Sequence, residues 1–210
     1  MVKLLIDLFQ KILKKFSNVF DAKIFQKYVD YLFILFEKII INLDYFLPYY
    51  LNYYNDLVES EIKLADILSE RKIVHIGSGS IPSTSILIAQ KTNSRITCID
   101  KDPKAIKNSI KIVKKIGLSN LINIKKINAL DISFEKFDVI FISHGIVPKK
   151  EFLEKLSKKI TDKNIVIHRS FSKDSNLERE DIFLHNLFDV IKVITHKKNG
   201  SVISIKLRKK

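Results

Sequence analysis

The chain has 210 residues, enough for one α/β domain with a helical extension and a sizeable core. Its 46% hydrophobic content fits a folded protein, and a single cysteine, Cys98, excludes an internal disulfide and a cysteine-based zinc site. The net charge of +14 points towards nucleic acid, yet residues 1–70 carry 8 Lys/Arg against 10 Asp/Glu, and the later excess is scattered Lys without interleaved aromatics, the pattern of a solvated basic face.

In chain order, residues 2–69 read as helices. Apolar residues recur at helical spacing (Leu4, Leu5, Leu8, Ile12, Leu13, Phe16), and again from Phe25 to Ile41. The run at 31–41 is too short to span a bilayer and is interrupted by Glu37 and Lys38, so it reads as a buried helix. The N-terminus has no small-residue cleavage site of a signal peptide, and with one cysteine the expected compartment is a reducing cytoplasm. Pro48 suits the first turn of a third helix, 48–69. All seven tyrosines lie before residue 55, and this break in composition predicts a boundary near Ser69–Lys72. The expected organisation is a helical unit over 1–70, lying over the substrate side, and a Rossmann-like unit over 71–210.

Beyond the boundary, strands and helices alternate. Strands are predicted at 72–76, 95–99, 121–127, 137–142 and 163–168, with helices at 83–91, 103–116 and 149–160. This is the signature of right-handed βαβ units and a parallel sheet. After a helix near 176–186, strands at 189–196 and 201–207 flank Lys197-Lys198-Asn199-Gly200, and Asn-Gly between apolar runs signals a hairpin. The predicted fold class is therefore α/β, with a terminal antiparallel hairpin on a parallel sheet, as in class I S-adenosylmethionine-dependent transferases.

Ile73-Val74-His75-Ile76 runs into the turn Gly77-Ser78-Gly79, where glycines permit close backbone approach to a ligand. Pro82 stands where the dinucleotide fingerprint needs its third glycine, which disfavours NAD. Asp100 ends the second strand, placed to accept the ribose hydroxyls of a nucleoside, while Asp102 suits a helix cap. Asn128, Ala129 and Asp131 follow the third strand, where an adenine is read. Asn52, Asn55 and Glu59 are spaced i, i+3, i+7 and share one helical face, with Tyr49/Tyr53 and Tyr50/Tyr54 as i, i+4 pairs beside it. Tyrosine faces can hold a sulfonium by cation–π attraction, and an aromatic stripe can equally be core. His75 lies mid-strand, in the core or behind the site. His144 and His168-Arg169-Ser170 follow strands at the carboxyl edge of the sheet, the ligand side of such folds. No His, Asp or Glu spacing argues for a metal set.

Taken together, FLPYYLNYYNDLVESE, HIGSGSIPSTSILIA, IDKDP, NALD, FDVIFIS, HRS and NGSVISI resemble nicotianamine synthase in order and spacing, over about residues 46–207. The chain departs from the plant pattern at Ser80, Ser83 and Asn128. The resemblance implies transfer of the 3-amino-3-carboxypropyl group of S-adenosylmethionine to an amine, with release of methylthioadenosine and a metal-chelating product, the enzyme itself binding no metal. It sets Glu59 at the catalytic glutamate position, enclosed by Tyr50 and Tyr53; Glu61 is a second carboxylate two residues on. Gly77, Ser78, Gly79, Asp100, Asn128 and Ala129 would hold the donor. Asn52, Asn55, Ser83, His144, Arg169 and Ser170 would face a small amine or amino-acid acceptor. A class I methyltransferase acting on a small molecule or RNA, and a non-catalytic basic binding module, stay open as alternatives.

Overall fold

The computed structural model describes residues 46–171, 177–196 and 202–210. The expected helices before residue 46 and the Lys197–Gly200 turn lie outside these residues. Helix α1 spans Leu47–Leu64 and opens on Pro48, whose missing N–H costs nothing in a first turn. The expected helix to residue 69 ends five residues earlier. Asp66 adopts a left-handed φ of 53°, and the Ile67 N–H turns back 3.1 Å to the Ile62 carbonyl.

The elements that follow are β1 (Lys72–Ile76), α2 (Ser83–Thr92), β2 (Arg95–Asp100), α3 (Pro103–Lys115) and β3 (Ile122–Lys126). Then come a 3-10 turn (Ala129–Asp131), β4 (Val139–Ile142), α4 (Lys149–Lys159), β5 (Ile165–Phe171), α5 (Leu177–Leu187), β6 (Phe188–His196) and β7 (Val202–Lys209). The predicted alternation is present. Asp102 caps α3 as expected, its carboxylate accepting the Lys104 N–H at 2.9 Å.

The seven strands form one sheet in the order β3-β2-β1-β4-β5-β7-β6. The first five are parallel to their neighbours, and β7 runs antiparallel to both β5 and β6. β5 runs three residues beyond the predicted end because β7 pairs along it as far as Phe171↔Val202. The two edges are β3, with exposed Asn123, Lys125 and Lys126, and β6, which carries exposed Ile191 and Val193 and a register irregularity between Val190 and Lys192.

Strand alternation splits the core in two. Ile73, Ile96, Cys98, Val139, Phe141, Ile165 and Ile167 face a layer made by α1, α2 and α3. Val74, Ile76, Ile99, Ile140, Ile142 and Val166 face Phe152, Leu153 and Leu156 of α4 and Leu184 of α5. Helix α1 belongs to the first layer: Leu47, Tyr50, Leu57, Val58 and Leu64 share one apolar cluster with the sheet. Residues 46–67 are therefore built into the sheet's own core. Among the described residues, no helix is long and apolar enough to cross a membrane.

Candidate active site

The apolar residues of α1 decide which side of the helix meets the sheet. Leu57 and Val58 are fully buried, and the helical period carries Tyr50 and Glu61 to that same side. Glu61 has no exposed surface. On β5, Arg169 alternates with Ile165 and Ile167, so its guanidinium points into the same layer. It grips Glu61 with two bonds, Nε to Oε1 at 2.6 Å and Nη2 to Oε2 at 2.5 Å. The Ser204 hydroxyl of β7 donates to Glu61 Oε1 at 2.6 Å, and His196 Nε2 of β6 lies 2.9 Å from Ser204 Oγ. Burial alone would lower the pKa of Arg169, but the adjacent Glu61 carboxylate holds it above the usual value. Burial lowers that of His196, with Arg169 acting in the same sense and Glu61 against it.

Tyr50 is buried against this cluster, and its ring lies 5.0 Å from that of Tyr54, with Tyr53 edge-on to Tyr54 at 5.1 Å. Asn52 and Glu59 are exposed, and Asn55 is half-buried with its amide 3.5 Å from the Asp56 carboxylate. The polar stripe Asn52–Asn55–Glu59, expected to face the acceptor, thus lies on the opposite side of α1 from Glu61. Apolar burial sets the rotation of a helix, and it selects the Tyr50–Leu57–Glu61 side.

The glycine turn is fastened to the end of β2. The N–H groups of Gly77 and Ser78 donate to the Ile99 carbonyl at 2.9 and 3.2 Å, and Gly79 N–H donates to Asp100 Oδ2 at 2.9 Å. Asp100 Oδ1 accepts the Asp102 N–H at 3.0 Å. These amides are spent within the protein, so a ligand would meet the bare glycine surface. Gly77 has φ 69°, a conformation that favours glycine, and a Cβ there would stand 3.1 Å from Ile146 Cγ1, so that side chain would have to give by a few tenths of an ångström. Each Asp100 oxygen retains lone-pair capacity at the rim, as a ribose diol requires.

Behind the turn, His75 is buried between two hydroxyls, Nδ1 2.9 Å from Ser85 Oγ and Nε2 2.9 Å from Ser143 Oγ. Burial pushes its pKa down to about 3, with Arg169 adding to the effect, so the ring is neutral.

The other expected residues are distributed as follows. Asn128 is exposed and its side-chain oxygen accepts the Leu130 N–H at 3.1 Å, closing the 3-10 turn; Ala129 is half-buried beside it. Ser83 is buried at the start of α2. His144 is half-buried just after β4. Ser170 is buried, but strand alternation turns it to the face opposite Arg169, so these two cannot act on one group from one side. A groove of about 320 Å³ lined by Thr97, Lys125, Asp131 and Glu135 lies away from the glycine turn, where the β3–β4 connection supplies only a 3-10 turn. Spacing on α1 and strand alternation from Ile165 would both have indicated the Glu61–Arg169 pair. Ser204, His196 and Ser143 offer no comparable signal, because only the fold brings them to the site.

The arrangement therefore joins a glycine rim (Gly77, Asp100), a neutral polar wall (His75, Ser143) and a buried ion pair beside two tyrosines. L-histidine 2-aminobutanoyltransferase of Yersinia pestis is 26% identical over 120 residues, 57% of this chain and 45% of the relative, so the chain spans less than half that relative's length. The structure of MtNAS in complex with MTA and tNA superposes with a TM-score of 0.68 at 17% identity, covering 97% of this chain and 70% of that one. A glutamate-to-glutamine variant of MtNAS in complex with S-adenosylmethionine gives 0.67 at 18% identity, with 99% and 75% covered. These two likenesses establish the class I transferase fold. Residues 3–205 match the family model described as nicotianamine synthase protein, and the chain belongs to that family.

Proposed function

We propose that the chain transfers the 3-amino-3-carboxypropyl group of S-adenosylmethionine to an amine and releases methylthioadenosine. The observation that carries this reading is the inward face of α1, which brings Tyr50, Tyr54 and Glu61 to Arg169 on the same sheet face as the glycine turn. A methyltransferase needs only the turn and Asp100. A buried carboxylate paired with a guanidinium beside them is what transfer of an amino-acid fragment to an amine calls for. Family membership supports the same choice.

The donor's sulfonium makes its γ-carbon electrophilic and methylthioadenosine a neutral leaving group. Gly77 would let the donor lie against the turn, and Asp100 would accept its ribose hydroxyls. As the acceptor nitrogen bonds to the γ-carbon, the carbon–sulfur bond breaks and its electron pair returns to sulfur. The nitrogen must shed a proton, and a carboxylate takes it. Glu61 is the candidate base, in place of the expected Glu59, because it lies with Tyr50 and Arg169 while Glu59 is exposed. Arg169 orients Glu61 through both oxygens and can turn its remaining N–H groups to a substrate carboxylate. The relative's name supports an amino acid as acceptor, L-histidine first. The product would carry amines and carboxylates along one backbone, a chelating set for divalent metals. A reducing, cytoplasmic setting belongs to this proposal, and the sequence's single cysteine fits it.

The test is to incubate the full chain with S-adenosylmethionine, with and without L-histidine, and to separate the nucleosides by chromatography. Methylthioadenosine is the expected product. S-adenosylhomocysteine would establish the methyltransferase alternative instead.

A further inference from the structure

Four buried or half-buried groups around the glycine turn are joined end to end: Cys98 on β2, Ser85 on α2, His75 on β1 and Ser143 just after β4. Cys98 Sγ lies 3.0 Å from Ser85 Oγ, Ser85 Oγ 2.9 Å from His75 Nδ1, and His75 Nε2 2.9 Å from Ser143 Oγ. Cys98, Ser85 and His75 are shut off from solvent, while Ser143 is half-buried beside Gly77.

Such a string can be polarised in either direction, because a hydroxyl both donates and accepts and a neutral imidazole has one N–H. The Cys98 end breaks the tie. Its S–H donates to Ser85 Oγ at 3.0 Å. Ser85 then directs its own proton to His75 Nδ1. The imidazole, held neutral, carries its single proton on Nε2 and donates it to Ser143 Oγ. The proton of Ser143 is thereby turned away from the string, towards the cleft beside Gly77.

We infer that the string Cys98–Ser85–His75 fixes Ser143 as a hydrogen-bond donor to the carboxylate of the donor substrate's amino-acid part, with His75 as its positioning residue. This rests on the S-adenosylmethionine reading above. A carboxylate is the fitting partner because it only accepts hydrogen bonds, whereas the substrate's ammonium only donates and would meet the wrong end of the hydroxyl. An O–H donated to a carboxylate is charge-assisted and short, and it discriminates between the two ends of the amino-acid group. The string carries no net charge, so it selects orientation while Arg169, close enough to His75 to depress its pKa, supplies positive potential.

Two measurements test this on the full chain. Long-range proton–nitrogen NMR of histidine-labelled protein should report His75 as the Nε2–H tautomer; the Nδ1–H tautomer would overturn the inference. Calorimetry on Ser143→Ala should show S-adenosylmethionine affinity down by about 10–100-fold, as for a hydrogen bond to a charged group, with methylthioadenosine affinity unchanged since that ligand lacks the carboxylate. Equal weakening of both ligands, or of neither, would overturn the inference alone. A parent protein that binds neither nucleoside would overturn the transferase reading and this one with it.

Discussion

The Glu61–Arg169 cluster under α1 and the His75 string under α2 are buried in the same layer, one charged and one neutral. The charged cluster joins α1, β5, β6 and β7 through four contacts of 2.5–2.9 Å, and each charge there depends on its partner for the loss of water. The neutral string joins β1, β2, α2 and β4 through donors and acceptors alone. A charged cluster fails when one member is removed; a neutral one fails when a proton is added. The clusters are thus vulnerable to different perturbations, and the perturbations separate their roles.

The largest expected effect is on turnover. Glu61→Gln keeps the side chain's size but removes basicity and the pairing charge, so aminocarboxypropyl transfer should fall by about 10²–10⁴-fold. Glu59→Gln should stay within a few-fold of the parent. Steady-state kinetics on both, with circular dichroism to establish that Glu61→Gln is folded, checks this; a normal Glu61→Gln would remove that residue from the chemistry.

Acid strikes the neutral string next. The folded-state pKa of His75 is depressed to about 3 from 6.5, so below pH 6.5 the unfolded chain binds a proton that the folded one refuses. The stability it contributes is complete above pH 6.5 and is lost as pH falls towards 3, on the order of a few kcal/mol at about 1.36 kcal/mol per pH unit. The shift of His196 adds in the same sense. Urea unfolding at several pH values should give a shallower acid slope for His75→Phe than for the parent; identical slopes would refute the account.

Asp100 is tested through binding. Asp100→Ala should weaken S-adenosylmethionine by roughly 10–150-fold, the worth of charge-assisted bonds of about 1.5–3 kcal/mol. Calorimetry that finds parental affinity would rule out the ribose role. At the bottom of the scale is Lys206–Asp66, at 2.5 Å but with Asp66 65% exposed. Its hydrogen bond to Lys206 holds the Asp66 carboxyl below its usual pKa. Asp66→Asn should still cost less than about 1 kcal/mol, and thermal unfolding in high salt should erase the difference.

Most of the sheet was legible from apolar runs separated by glycine and polar turns, because a parallel strand buried on both faces leaves few other readings. The glycine turn was legible for a similar reason: φ near 69° permits few residues. The rotation of α1 was misjudged because the polar residues Asn52, Asn55 and Glu59 were read as the functional side. The apolar Leu47, Leu57, Val58 and Leu64 carried the information, and Glu61 stands in their register. A charge at a core register needs a partner at another core register, and Arg169 between Ile167 and the strand end supplies it. Ser204, His196 and Ser143 meet Glu61 and His75 only through contacts distant in sequence, so nothing local announces them.

The edges of the sheet give the scattered lysines a further meaning. An open edge strand is a template for pairing with another chain, and stretches such as Val190–Ile194 have the composition that would do so. Lys192 interrupts that run where the ladder with β7 goes out of register, and Lys125 and Lys126 stand exposed on β3 at the far edge. Part of the excess positive charge thus serves as a guard against edge-to-edge aggregation, so a charge-neutralised variant would be lost first to precipitation rather than to inactivity.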